Sequence, residues 1–381
     1  MRVGVNTLFM IPGKVGGSEV YLRQTLLAIA ESFPHISLVI FMNRENDAIL
    51  RNDLSIFNQV SFFSIDLNAS NRYERIIREQ IELPFKVKRS GIDVLWSPGY
   101  TGPVSSGCPQ VTSILDMQYK NYPEDFSSVA GAAMHLLVNL AVRRSKAVIT
   151  ISEFSKREIM KYTDLSSGRI YVTLLAADPT FTEVLPKNIR HNHLSSLIPI
   201  KTPYILTVAN TYPHKNIHTL INAFNTVSNV IPHNLVLVGN PHRGEGKLQE
   251  ALDELPDKSR FIRLGTLSKS QLIALYQGSD VFIFPSLYEG FGLPILEAMI
   301  SGIPVITTHM ASIPEVGGDY VLYVESVNAK GFAEKILAVT KWDEAFRTQW
   351  IEDAKHWATN FSWEKTAART VDVLKSVIFM K

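Results

Sequence analysis

The chain has 381 residues, 46% of them hydrophobic and 19% charged, as expected of a globular protein with two domains. Its formal net charge of +2 gives no reason to expect nucleic acid as a partner, and its single cysteine, Cys108, excludes an internal disulfide. No apolar run approaches the roughly 20 residues that span a bilayer. The N-terminus enters a strand with no signal peptide before it. We therefore expect a cytoplasmic protein that could attach to the inner face of the cytoplasmic membrane.

In chain order, the first half alternates short β-branched runs with longer amphipathic stretches. The short runs predict buried strands at Val3–Asn6, Leu38–Phe41, Val94–Trp96, Val111–Ile114 and Ala147–Ile151. The longer stretches predict helices at Ser18–Ser32, Asn71–Arg89, Val129–Arg143 and Glu153–Lys161. This alternation of strands and helices predicts a parallel sheet with helices on both faces.

The same alternation restarts in the second half. Strands are predicted at Tyr204–Val208, Leu235–Val238, Phe261–Leu264, Val281–Phe284 and Val305–Thr307. Helices are predicted at Asn216–Val230, Gly246–Leu255, Ser268–Gln277, Pro294–Ile300 and Trp363–Ile378. The proline-containing stretch between the two series lacks periodicity. We therefore predict an N-terminal domain over 1–180, a linker over 181–202 and a second domain over 203–362.

A loop in each half has the composition of a phosphate site. Gly16 and Gly17 lie between the first strand and its helix, where glycines allow close backbone approach to a phosphate, although a plain flexible turn is the alternative. In the second half, Asn210, His214 and Lys215 follow a strand, and Asn216 can cap the next helix. Lys215 could neutralise phosphate there, or be an ordinary solvated lysine. The glycine loop of the first half has neither the dinucleotide nor the P-loop motif.

The most informative segment runs from Ser286 to Glu297, and it places Glu289 and Glu297 eight residues apart around a glycine turn. Pro294 suits the first position of a helix, and Gly302 suits its end. A strand that leads into a glycine turn and a helix N-terminus suits an anion. The flanking carboxylates suit sugar hydroxyls, although a first-turn glutamate can also serve only the helix dipole.

This segment and its flanks resemble the Glu-x7-Glu signature of family-4 retaining glycosyltransferases with the GT-B fold. The match covers about 35 residues, from Phe284-Pro285-Ser286 to Ile313-Pro314-Glu315-Val316. The resemblance implies an α/β protein of two facing, doubly wound Rossmann-like domains with a cleft between them. It also implies that the last helix packs back on the first domain.

The resemblance assigns roles to residues in both halves. Glu289 would hold the transferred sugar, Glu297 the nucleotide ribose and Lys215 the donor diphosphate. The donor would also meet Asn210, His214, the Gly16–Gly17 loop and the turn Gly290-Phe291-Gly292-Leu293. Asp116 matches a family aspartate at a strand end, where it would orient sugar or acceptor. Leu115 stands where the family often has histidine, so a step that needs that imidazole has no residue for it.

We expect no cofactor and no metal ion. The sequence has no Asp-x-Asp, and the pair His191 and His193 lies without a matching cluster of ligands. The expected reaction moves a sugar, on resemblance mannose from GDP-mannose, to a glycan or lipid-linked glycan acceptor in O-antigen assembly. A UDP-sugar donor is one alternative. A nucleotide-sugar epimerase, a phosphorylase or a non-enzymatic sugar-nucleotide binder on the same scaffold are others.

Two groups of basic residues in the first half suggest contact with an anionic membrane surface. One group lies on or just after the helix predicted at Asn71–Arg89 and comprises Arg72, Arg75, Arg78, Lys86, Lys88 and Arg89. The other comprises Arg143, Arg144, Lys146, Lys156, Arg157 and Lys161. An ordinary solvated face is the alternative, because Glu74, Glu79 and Glu82 lie among the first group.

Overall fold

A computed structural model describes residues 1–125, 128–198, 203–325 and 327–380. The chain divides into two compact units. Unit 1 comprises residues 1–176 together with the C-terminal segment from Phe361, and unit 2 comprises Ala177–Asn360.

Unit 1 contains, in its described residues, a seven-stranded parallel sheet with the order β3-β2-β1-β4-β5-β6-β7. The strands are β1 (Arg2–Asn6), β2 (Ser37–Met42), β3 (Val60–Ser64), β4 (Val94–Ser97), β5 (Gln110–Ser113), β6 (Ala147–Thr150) and β7 (Ile170–Val172). The helices are α1 (Gly17–Ser32), α2 (Asp47–Leu54), α3 (Arg72–Ser90), α4 (Gln118–Asn121), α5 (Ser128–Arg144) and α6 (Glu153–Tyr162). The central strands are buried on both faces, which explains their nearly continuous apolar sequences.

Unit 2 contains a six-stranded parallel sheet among its described residues, with the order β10-β9-β8-β11-β12-β13. The strands are β8 (Tyr204–Val208), β9 (Asn234–Val238), β10 (Phe261–Leu264), β11 (Val281–Phe284), β12 (Val305–Thr308) and β13 (Leu322–Val324). The helices are α7 (Lys187–Ser195), α8 (Ile217–Val227), α9 (Glu245–Asp253), α10 (Lys269–Gly278), α11 (Leu293–Ser301), α12 (Ile313–Gly317), α13 (Ala329–Val339) and α14 (Glu344–Ala358). The core of this unit includes Ile205, Phe224, Leu237 and Phe332.

The last helix, α15 (Trp363–Ile378), belongs to unit 1 and packs against α1. Ser362 caps it by accepting a hydrogen bond from the amide of Lys365. Thr366 donates its hydroxyl to the carbonyl of Leu174, which ties the start of the helix to the end of the long N-terminal segment. Residues 177–360 are therefore inserted, in sequence, into unit 1.

The segment predicted as a linker, 181–202, is largely structured in its described part. Helix α7 occupies its middle and packs against α10 within unit 2. The backbone amide of Leu185 and the side chain of Gln277 are hydrogen-bonded at 3.0 Å, and this contact fixes the stretch before α7. Helix α7 was not predicted, because it is short and has few apolar residues, so that packing rather than sequence periodicity stabilises it.

The ten predicted strands are all present, whereas three short strands at sheet edges were not predicted. They are β3, β7 and β13, each no longer than five residues. No helix among the described residues is long and apolar enough to cross a membrane.

Candidate active site

The strand order of unit 2 reverses between β8 and β11. From β8 the chain continues to β9 and β10 on one side, whereas β11, β12 and β13 extend the sheet on the other. The loops that follow neighbouring strands on either side of such a reversal diverge and leave a crevice at the carboxyl end of the sheet. Lys215 lies in the loop after β8, and Glu289 lies in the loop after β11.

These two residues form an ion pair in the structure. The Nζ atom of Lys215 donates to Oε1 of Glu289 at 2.6 Å. The Lys215 ammonium also lies 5.5 Å from the centroid of the Phe284 ring, at the end of β11. The side chains retain 19% and 13% of their exposure, so the pair remains open to a ligand. Two residues that are 74 positions apart in sequence thus form one charged site.

The backbone of His214 joins the two loops. Its carbonyl accepts a hydrogen bond from the amide of Leu287 at 2.8 Å, and the hydroxyl of Ser286 lies 3.4 Å from the same oxygen. The His214 ring is buried, with 3% exposure. His214 therefore positions Lys215 through its main chain, and the structure does not place its imidazole on an open surface.

Asn216 follows in the left-handed region, at φ 56°, and precedes α8. Its side chain does not cap a backbone amide as predicted. The Oδ1 atom instead accepts the hydroxyl of Thr219 at 2.6 Å. The positive φ turns the chain away from Lys215 and into the helix, and asparagine tolerates that conformation better than most residues.

The glycine turn after Glu289 is held from inside the protein. Gly292 has φ 111°, which strongly favours glycine, and it directly precedes α11. The hydroxyl of Ser312, from the loop after β12, lies 2.9 Å from the carbonyl oxygens of both Glu289 and Phe291. The turn Gly290–Gly292 is therefore fixed in shape, and Glu289 projects from a supported backbone.

Helix α11 begins one residue earlier than predicted. Leu293 is its first residue and Pro294 its second, where a missing N–H is also tolerated because the first helical amides have no partner within the helix. Gly302 ends the helix in the left-handed region, as predicted.

Glu297 lies on α11, half-buried, and its Oε2 atom accepts the hydroxyl of the buried Tyr276 at 3.1 Å. Burial raises the pKa of Glu297 to about 7, and the hydrogen bond from Tyr276 opposes that shift only in part. A carboxyl group with this pKa can donate or accept a hydrogen bond near neutral pH.

Asn210 lies at the exposed end of β8. Its Oδ1 atom accepts the backbone amide of Asn240 at 2.9 Å. At Gly239, beside it, a Cβ atom would come within 2.0 Å of the carbonyl oxygen of Ala209, so only glycine permits this approach of the loops after β8 and β9. The ring of Tyr212 stacks on that of His242 with centroids 4.0 Å apart.

The remaining predicted residues belong to unit 1. Gly16 has φ 54° and precedes α1, and Gly17 is the first residue of that helix. Asp116 follows β5, and its Oδ1 atom accepts the amide of Gln118 at 3.0 Å, which is a turn contact. Leu115 is buried, with 3% exposure, so this position supplies packing and no imidazole.

A second polar cluster, not predicted from the sequence, lies where the strand order of unit 1 reverses between β1 and β4. The carboxyl group of Glu79, on α3, is 3% exposed. It accepts the Asn6 side-chain amide at 2.6 Å and the Thr101 hydroxyl at 3.0 Å. Asn6 also lies 3.4 Å from the hydroxyl of Ser97. Burial raises the pKa of Glu79, opposed by the Asn6 hydrogen bond and the nearby charge of Arg75.

Sequence reasoning missed Ser286, Ser312 and Tyr276 as supports of the site. Both serines lie inside the flanks that resemble the family signature, so their positions were available but their hydrogen bonds were not. Within the described residues no group of three or more His, Cys, Asp or Glu side chains is arranged to hold a metal ion.

Comparison with known proteins places these features in a family. Residues 188–357 match the family described as "Glycosyl transferases group 1", a range that contains Lys215, Glu289 and Glu297. The chain is 28% identical over 277 residues to the O-antigen chain mannosyltransferase B of Escherichia coli, covering 70% of each protein. It is 32% identical over 236 residues to the serotype-specific mannosyltransferase WbdA of E. coli, covering 60% of this chain but only 28% of WbdA.

The crystal structure of Anabaena HepE in complex with UDP and glucose superimposes with a TM-score of 0.74 at 18% identity, covering 99% of this chain and all of HepE. At that identity the likeness concerns the fold alone. The chain therefore carries a glycosyltransferase group 1 domain within a GT-B fold.

Proposed function

We propose that the protein transfers a mannose residue from GDP-mannose to a hydroxyl group of a lipid-linked glycan in O-antigen synthesis, with retention at the anomeric carbon. The observation that carries the proposal is the Lys215–Glu289 pair at the strand-order reversal of unit 2. The choice of mannose rests on the names of the relatives, which include two O-antigen chain mannosyltransferases and WbdA.

The pair suits a ligand that carries both negative charge and hydroxyl groups. The ammonium group of Lys215 and the carboxylate group of Glu289 compensate each other's charge at 2.6 Å. A nucleotide diphosphate sugar would separate the two side chains, because its phosphates would bind Lys215 and its sugar hydroxyls would donate hydrogen bonds to Glu289. The fixed turn at Gly292 and the N-terminus of α11 would add positive potential beside the phosphates.

In the proposed reaction, the bond between the anomeric carbon and the phosphate oxygen breaks while the acceptor oxygen bonds to the same face of that carbon. The acceptor's proton passes to the leaving phosphate oxygen, so the products are GDP and the new glycoside. Lys215 would stabilise the charge that develops on the leaving diphosphate. Glu297 would hold the ribose, and Asn210 would belong to the nucleotide side of the site. In unit 1, the predicted site residues remain Gly16, Gly17 and Asp116.

A nucleotide-release assay with a panel of donors tests the donor. The purified protein, with membranes that contain the lipid-linked acceptor, should release GDP from GDP-mannose faster than it releases UDP from UDP-glucose or UDP-N-acetylglucosamine. Faster turnover of a UDP-sugar would contradict the mannose donor and leave sugar transfer intact. Analysis of the anomeric configuration of the product tests retention.

Analysis of the sugar nucleotide after incubation, together with thermal melting, separates the alternatives. An epimerase would change the sugar nucleotide without an acceptor, and a non-enzymatic binder would be stabilised by the nucleotide without releasing product. Either outcome would contradict the transferase proposal.

We further propose that the reaction needs no metal ion, because Lys215 and the turn at Gly292 would supply the charge compensation that a divalent cation otherwise provides. Activity in excess EDTA should equal activity without it. Loss of activity that Mg²⁺ or Mn²⁺ restores would contradict this part of the scheme.

A further inference from the structure

Helix α3 of unit 1 presents an unusual outer surface. Four large apolar side chains project into solvent from it at intervals of four residues, and we name them the apolar stripe: Tyr73, 80% exposed; Ile77, 57%; Ile81, 60%; and Phe85, 67%. Every other helix in the described part of the chain exposes at most one large hydrophobic side chain. Four such residues in a row on one helix indicate a surface that has a partner.

The stripe lies on the side of α3 that faces away from the protein. Residues four apart in a helix are about 40° apart around its axis, so the stripe covers an arc of about 120°. The buried residues of α3, Glu79, Leu83, Val87 and Ser90, occupy the other side and hold the helix to unit 1. The helix therefore cannot turn its stripe inward, and any partner must meet it side-on along a length of about 18 Å.

The charges of α3 fit an anionic partner. The helix carries six basic residues, which are Arg72, Arg75, Arg78, Lys86, Lys88 and Arg89, against three acidic ones. Of the three acidic residues, Glu79 is buried on the inner side with Arg75 nearby, and Glu82 is paired with Arg78 at 2.7 Å and with Lys86 at 3.5 Å. The third, Glu74, is half-buried in the first turn. Lys88 and Arg89 are exposed in the last turn, just beyond Phe85.

We infer that α3 docks unit 1 on an anionic lipid surface, with the apolar stripe among the acyl chains near the headgroups and the exposed basic residues Arg78, Lys88 and Arg89 on the lipid phosphates. An apolar face beside a basic border, held parallel to a surface, is the pattern of an in-plane interfacial helix. Aromatic rings at both ends of the stripe suit the headgroup boundary. A second copy of the chain fits less well, because it would bring two helices of net charge +3 together.

The inference extends the proposed function, since a lipid-linked acceptor lies at a membrane, but its test needs neither donor nor acceptor. The double variant Ile77→Ser/Ile81→Ser removes the centre of the stripe. The matched control is Ile56→Ser, an isoleucine of the same unit that is 76% exposed and lies outside α3. Thermal melting of each variant confirms that it is folded.

Sedimentation with phosphatidylcholine vesicles, with and without phosphatidylglycerol, measures the binding. The full-length protein should bind the anionic vesicles at low salt, and the double variant should bind at least tenfold more weakly, whereas Ile56→Ser should match the unmodified protein. A further variant, Lys88→Gln/Arg89→Gln, should lose the preference for phosphatidylglycerol.

Three outcomes would overturn the inference. They are no binding by the unmodified protein, equal binding by the stripe variant, and a concentration-dependent dimer in sedimentation velocity that Ile77→Ser/Ile81→Ser abolishes. The last would assign the stripe to a second copy of the chain. None of these outcomes bears on nucleotide release, so the transferase proposal stands or falls separately.

Discussion

The two strand-order reversals of this molecule have the same topology and opposite chemistry. In unit 2 the crevice between β8 and β11 contains a charged pair, Lys215 and Glu289, that is still partly exposed. In unit 1 the corresponding place between β1 and β4 is filled by the carboxyl group of Glu79, which the protein's own Asn6 and Thr101 satisfy. A glutamate whose carboxyl group accepts its hydrogen bonds from the protein's own side chains contributes to structure. A glutamate whose cationic partner is accessible to solvent can exchange that partner for a ligand.

The largest effect is expected from substitution of Glu289. Glu289→Gln should lower kcat by a factor of about 100 or more with little change in melting temperature, because a transition-state contact is lost while the turn held by Ser312 remains. Steady-state kinetics measure the effect. The control Glu334→Gln alters a glutamate that is 65% exposed on α13 and should be indistinguishable from the unmodified protein. Transfer by Glu289→Gln within threefold of normal would remove Glu289 from the mechanism.

Lys215→Ala should weaken GDP binding by roughly 10- to 150-fold, which corresponds to about 1.5–3 kcal/mol for one charge-assisted phosphate contact. Guanosine, which lacks phosphates, should bind about as well as before. Calorimetric titration of both ligands provides the comparison, and Lys330→Ala, at a lysine whose side chain is 86% exposed, is the control. Equal losses for nucleoside and nucleotide would show that Lys215 does not contact the phosphates.

At Glu79 the prediction concerns stability. Glu79→Ala leaves the Asn6 amide and the Thr101 hydroxyl without their acceptor and should reduce the free energy of unfolding by about 1–3 kcal/mol. Urea denaturation measures this. The control Glu82→Ala removes a surface ion pair on the same helix and should cost about 1 kcal/mol or less. If Glu79→Ala left stability unchanged but abolished transfer, Glu79 would have to be counted with the site.

The last prediction depends on pH and concerns Glu297. Its pKa is raised from 4.5 to about 7, so between these values the folded state binds more protons than the unfolded state, and this group's contribution to stability falls as pH rises through the window. Glu297→Gln removes that titration. The melting temperature of the variant minus that of the unmodified protein should therefore be larger at pH 8 than at pH 5. An identical difference at both pH values would contradict the raised pKa.

The sequence predicted the fold class, and it also indicated Lys215, Glu289 and Glu297 as candidate site residues, because both kinds of feature have local sequence patterns. Buried parallel strands have sequences rich in β-branched residues. Glu289, Gly292 and Glu297 lie within one short segment. The pairing of Lys215 with Glu289 has no such local pattern, because it depends on β8 and β11 being neighbours, and strand order is a property of the whole sheet. Glu79 lies in sequence among Arg75, Arg78 and Glu82, so the alternative of a solvated charged face included it. Only its inward direction on α3 distinguishes it.

The helix α15 bears on the order in which the protein can fold during synthesis. Unit 2 is one continuous stretch, Ala177–Asn360, and can complete its sheet once that stretch has left the ribosome. Unit 1 can form its sheet but cannot complete its core, because α15, which packs against α1, is translated after the whole of unit 2. The buried residues of α15, among them Ala367, Val371 and Leu374, are its contribution to that core. Until α15 has been synthesised, the N-terminal half of the chain therefore exposes the apolar surface that this helix covers. That half is the part of the newly made protein that depends most on protection from aggregation.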